Sequence, residues 1–111
     1  MPTIKDIPVL QLMEGITGRY AHGAQMSLGI VELVKGTVMP LHQHTHEQIT
    51  YIIEGQLHMQ IGDEHHSLTS GSYYVIPSNV WHGAHALTYC KLIDVFAPVR
   101  EEYKSEQERM Q

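Results

Sequence analysis

Glycine or proline interrupts this chain about every ten residues, at Gly15, Gly18, Gly23, Gly29, Gly36, Pro40, Gly55, Gly62, Gly71, Pro77 and Gly83. Strand-length apolar stretches lie between them: Gln25 to Val34, Gln48 to Gly55, Gln56 to Gly62, Ser72 to Pro77, and Tyr89 to Pro98. They carry Val, Ile, Tyr and Leu, often in alternation, which is the pattern of strands with one buried face. Glu54-Gly55-Gln56 and Gly62-Asp63-Glu64 read as tight hairpin turns. Many short strands at this spacing predict an all-β sandwich or barrel.

The 111 residues suit one domain, 1–111, with a core barrel at about 25–98 and a polar tail at 100–111. The tail reads as a solvated short helix or a frayed end without chemistry. A net charge of −5 argues against nucleic acid or an anionic membrane surface as a partner. The single cysteine, Cys90, permits no internal disulfide and reads as a small core residue. With no apolar run long enough for a signal peptide or a membrane span, a cytoplasmic location is expected. Trp81 and Tyr51 read as barrel packing.

Nine histidines are many for this length, and a metal site or pH sensitivity would use them. His42, His44 and His46 alternate, and Glu47 and Gln48 follow side by side. Residues two apart on a strand share a face, so His42 and His44 point together into a barrel. A third inward residue arrives on the next strand, and His82 comes from a distant strand. Imidazoles held on rigid strands bind a divalent transition metal and leave positions open for water or substrate. The alternative is a set of solvent-facing histidines in a sugar-binding sandwich. His46 is either a spare ligand or a loop histidine near the mouth. Arg19, Tyr20 and His22 are further candidates for lining that mouth.

Two spacings sharpen this reading. Gly36 is followed by five residues, His42, one residue, His44, three residues, Gln48, six residues and Gly55. Gly71 is followed by five residues, Pro77, then Asn79 and His82. These resemble the two consensus motifs of the cupins, and the separation of the motifs matches small single-domain members. The resemblance implies a cupin β-barrel, a double-stranded β-helix or jelly roll, with one divalent metal (Zn, Ni, Fe, Mn or Cu). The family's third ligand is glutamate, but the position six residues before Gly55 is Gln48. Glu47 is one residue off and faces the other side of a strand. Gln48 is therefore the expected ligand, beside His42, His44 and His82. Asn79 stands where the family has glycine, a replacement that left-handed backbone angles allow. The motif's final asparagine falls on Ala86.

The stretches from His46 to Gly55, Tyr73 to Gly83 and Leu92 to Tyr103 resemble more closely the pectin-degradation cupins, which convert 4,5-unsaturated uronates into linear keto-uronates. Those proteins use a His, His, Gln, His metal set. Their Asp-Val-Phe-x-Pro-x-Arg motif falls here on Asp94 to Arg100. The resemblance implies Asp94 as the catalytic acid and base, Phe96 packing on the sugar ring, and Arg100 placing the substrate. The residues agree. Asp94 and Phe96 share parity, a carboxylate in an apolar barrel has a raised pKa, and an arginine fork fits a uronate carboxylate. The plainer readings are an Asp94 that caps backbone, a Phe96 that is core, and an Arg100 in a surface or dimer salt bridge.

The function expected is metal-assisted isomerisation of an unsaturated uronate or a related sugar acid. The alternatives are a metal-dependent dioxygenase of a small organic substrate and a non-enzymatic small-ligand binder. A neutral amide in place of a carboxylate leaves more charge on the metal and favours Lewis-acid chemistry over oxygen activation. Family resemblance also implies a homodimer, with the apolar Ile7 to Met13 segment as a plausible exchanged strand.

Overall fold

The alternation becomes two antiparallel sheets enclosing one core. The computed structural model describes residues 1–110. A short 3-10 turn, Ile4–Asp6, leads into ten strands among the described residues. They are β1 (Leu10–Met13), β2 (Ile16–His22), β3 (Ser27–Leu33), β4 (Val38–His42), β5 (Glu47–Glu54), β6 (Leu57–Ile61), β7 (Glu64–Leu68), β8 (Tyr73–Ile76), β9 (His82–Ala86) and β10 (Cys90–Ala97). Helix α1 (Glu101–Arg109) follows. One sheet has the order β1-β2-β3-β10-β5-β8 and the other β4-β9-β6-β7. This is the jelly roll expected from the sequence. The first sheet also takes in β1 and β2, which precede the stretch 25–98 expected as core. The Ile7 to Met13 segment contributes β1, which pairs with β2 of the same chain.

Parity explains the core. On β5, Gln48, Thr50 and Ile52 are buried while Ile49, Tyr51 and Ile53 are exposed. Ile16, Ile52, Leu57, Ile76, Leu92 and Phe96 meet inside from both sheets. Each such side chain contributes about 1.5–3 kcal/mol by leaving water. Cys90 is fully buried, as expected. Trp81 and Tyr51 are not barrel packing: they are 53% and 43% exposed. Each is one residue out of step with an inward neighbour, Trp81 with His82 and Tyr51 with Thr50 and Ile52, so each points outward. Asn79 takes φ of 62°, the left-handed conformation its place in the second motif requires.

Tyr20 is 1% exposed and fits over a gap made by glycines. Gly29 lies opposite it on β3, and a Cβ there would come 2.2 Å from the Tyr20 ring. A Cβ at Gly18 would come within 2.6 Å. The C-terminal segment docks over the same ring. Tyr103 of α1 lies 4.7 Å from Tyr20, centroid to centroid, and the Gln107 amide donates to the Tyr20 carbonyl at 3.1 Å. The Arg100 backbone N–H donates to Ser27 Oγ at 2.9 Å. The tail is thus a docked helix rather than a chemically idle end.

Gly29→Ala is expected to lower stability by about 1–3 kcal/mol, because Tyr20 must leave its place. Urea unfolding measures this, and a loss below about 0.5 kcal/mol would show that Tyr20 does not need that space.

Candidate metal centre

His42 ends β4 and pairs with His82 at the start of β9 after a shift in register. His44 lies just beyond β4, in the connection to β5, rather than on the strand itself. The three rings converge, with centroids 4.2 Å apart for His42 and His82, 4.8 Å for His44 and His82, and 5.7 Å for His42 and His44. One nitrogen from each lies within 4.8 Å of the others. Gln48 enters from β5 and is buried.

The hydrogen bonds determine which nitrogens are free. The Nδ1 atoms of His42, His44 and His82 each lie 2.9 Å from a backbone carbonyl, of Pro40, His46 and Val80 respectively. A carbonyl only accepts, so each Nδ1 carries the proton and each Nε2 presents a lone pair. His82 Nε2 is buried without a partner. The Gln48 amide nitrogen donates to Thr50 Oγ1 at 2.9 Å and to Asp94 Oδ1 at 3.1 Å, which turns Oε1 the other way. That Oε1 lies 3.1 Å from His44 Nε2, so two acceptors face each other. Burial lowers the pKa of His44, and burial lowers that of His82 to about 4. Neutral imidazoles supply no proton to fill these contacts, and a cation satisfies them all. The donor set fits a divalent transition metal.

Beside this cluster, Thr50 Oγ1 donates to Asp94 Oδ1 at 2.6 Å. Burial raises the Asp94 carboxyl to about 6, against the opposing pull of Thr50, Gln48 and Arg100. The Arg100 guanidinium lies over the Phe96 ring at 4.7 Å and over the Tyr103 ring at 4.2 Å, and the two rings stand nearly perpendicular, at 77°. Its Nε donates to Glu102 Oε1 at 2.9 Å. Arg100 is itself buried, and its partner Glu102 is 59% exposed, so the ion pair lies at the edge of the pocket. These groups line one pocket with about 550 Å³ of atom-free space, counting its open mouth. Phe96 is both core and pocket wall: it is 3% exposed and its ring meets that of His44 edge-on at 5.8 Å.

The remaining sequence candidates separate. His46 donates from Nε2 to the Val99 carbonyl at 3.2 Å and packs on Phe96, beside the cluster of three but outside it. Glu47 is exposed, on the outer face. Arg19 points outward and binds the carbonyls of Lys5 and Ile7, so it does not line the pocket. Tyr20 lines it, and His22 lies behind it, 2.7 Å from Ser27 Oγ. Tyr103, from the tail, also lines it. Burial, then Asp94, raises the pKa of Tyr20, and burial raises that of Tyr103, so both hydroxyls stay protonated.

The sequence matches the Cupin domain family over residues 29–96, and the chain belongs to that family. An RmlC-like cupin from Shewanella frigidimarina NCIMB 400 is 26% identical, with a TM-score of 0.87 over 93% of this chain and 94% of that one. KdgF from Halomonas sp. is 30% identical, with a TM-score of 0.82 over 86% of this chain and 90% of that one. An oxalate decarboxylase variant from Bacillus subtilis is 20% identical, with a TM-score of 0.77 over 86% of this chain and 28% of that one, and shares the fold alone. No curated protein matches the sequence. No helix among the described residues is long and apolar enough to cross a membrane.

The Asp94 shift has a consequence for stability. The fold keeps this proton where the unfolded carboxyl, at 3.8, has lost it, so the Asp94 contribution falls as pH rises towards about 6. Asp94→Asn keeps an oxygen for Thr50 and Gln48 and removes that loss. In metal-free protein the variant is expected to gain over the wild type, by on the order of 2–3 kcal/mol, as pH rises from about 4 to about 6. Urea unfolding at several pH values measures the difference, and parallel curves would contradict it.

Proposed function

We propose that this cupin is a metal-dependent isomerase that linearises an unsaturated uronate or a related sugar acid. The observation carrying the reading is the juxtaposition of a carboxyl raised to about 6 with the three-histidine cluster in one pocket. The motif resemblance to the pectin-degradation cupins supports the substrate class. In this reading His42, His44, Gln48 and His82 hold one divalent ion. The metal, when bound, supplies Lewis-acid polarisation of substrate oxygens.

The chain's own residues do the rest. Asp94 takes the proton of the ring's hemiacetal hydroxyl as the ring C–O bond breaks to leave a carbonyl and an enolate, and a proton is returned to the enolate carbon, so no atom is gained or lost. A carboxyl with a pKa near 6 both accepts and gives protons near neutral pH. Arg100 has its Nε tied to Glu102, and its terminal nitrogens remain for a substrate carboxylate. Phe96 and Tyr103 pack on the guanidinium from two directions and keep water from it.

After metal reconstitution, the protein is expected to remove the absorbance of a 4,5-unsaturated uronate faster than buffer does. Asp94→Asn should lower kcat by about a hundredfold or more. Arg100→Lys should raise KM by roughly tenfold. Equal absorbance loss with and without the reconstituted protein would overturn the reading.

A homodimer belongs to the same proposal. Leu28, Ile49, Tyr51, Ile53, Tyr73 and Val75 leave the outer face of the six-stranded sheet apolar and exposed. Sedimentation should show a dimer that Tyr51→Glu dissociates, and a wild-type monomer would contradict it.

A further inference from the structure

The four-stranded sheet carries a second group of histidines on its other face. His82 and His85 stand three apart on β9, so they point to opposite sides. His82 is buried in the pocket and His85 is exposed to solvent. His85 pairs directly with His58 on β6. On β7, His65 lies opposite Gln60, one diagonal step from His58. His58 Nε2 and His65 Nδ1 come within 3.0 Å of each other. Three imidazoles from three adjacent strands therefore share one patch of sheet.

The separation has a chemical meaning. Two nitrogens on one first-row divalent ion, at roughly 2.0–2.1 Å and about 90–110° apart, lie roughly 2.9–3.4 Å from each other. The His58 and His65 nitrogens already stand in that range. Without an ion, the pair is a single hydrogen bond between two rings, worth little on an exposed surface. His85 is a direct cross-strand neighbour of His58, but its ring nitrogens do not lie within 4.8 Å of both others, so it completes the site by turning its side chain towards the pair.

We propose that His58, His65 and His85 bind a second divalent transition-metal ion, on the solvent face of the sheet whose inner face carries His42 and His82. Imidazole donors without a carboxylate select zinc, nickel or copper over magnesium or calcium. The remaining coordination positions face solvent. The site shares no residue with the pocket and needs no particular reaction there.

Untagged protein stripped by chelator and titrated with zinc in a calorimeter tests this. Wild type is expected to take up about two ions per chain, and His58→Ala with His65→Ala about one. His42→Ala with His82→Ala should also leave about one, and the fourfold variant none. Urea unfolding of the metal-free outer-face variant should match wild type within about 0.5 kcal/mol, since exposed side chains are changed. Uptake that is the same in the outer-face variant as in wild type would overturn the second site, whatever the inner cluster binds.

Discussion

Strand β10 lies in the middle of the six-stranded sheet, and its register decides what the pocket contains. One row across the sheet reads Tyr20, Gly29, Asp94, Thr50 and Tyr74. The next reads His22, Ser27, Phe96, Gln48 and Ile76. A slip of one residue would turn Asp94 and Phe96 out of the barrel together. The long pairings of β10 with both neighbours, seven residues with β3 and seven with β5, oppose that slip. Within these rows Gly29 makes room for Tyr20, and Thr50 and Gln48 hold the carboxylate. Asp94, Phe96, Thr50 and Gln48 are thus set by a single alignment, while His42 and His82 reach the same pocket from the facing sheet.

The electrostatics follow from burial. Buried charge is costly, so His44 and His82 lose their protons more readily than exposed imidazoles and Asp94 keeps its proton to a higher pH than an exposed carboxyl would. Arg100 is the exception, since guanidinium does not give up its proton. It is accommodated by an acceptor, Glu102, and by the rings of Phe96 and Tyr103, over both of which its central carbon lies within 4.7 Å.

Much of this was readable from residue spacing. Period two and the distance to Gly55 separated Gln48 from Glu47, and Asn79 has the left-handed backbone that its position in the motif implied. Strand boundaries were less readable. His44 lies past the end of β4, yet converges with His42 because the chain bends there. Tyr51 and Trp81 were misread because aromatic character says nothing about parity. Tyr103 was out of reach for another reason. Its helix is polar and has no buried residue, so no hydrophobic pattern marks it, and only docking against Tyr20 brings it to the pocket. Tyr20 itself is explained by Gly18 and Gly29, and the cross-strand half of that pairing exists only once the register is known.

The amide at position 48 has a physical reason. It must do two opposite things at once: donate to Asp94 from Nε2 and present an acceptor towards His44 from Oε1. An ionised glutamate has no hydrogen to donate. In its place a second carboxylate would stand about 3 Å from the first, and like charges at that distance cannot both ionise in a buried site. One of the two would hold a proton, and the pair would titrate as a unit rather than as a ligand and a separate acid. Glutamine avoids this. It leaves the Asp94 carboxyl to titrate by itself, held but not paired with a charge on that side. The neutral amide beside the histidines and the raised carboxyl next to it are therefore one feature, and substitution at either position changes both.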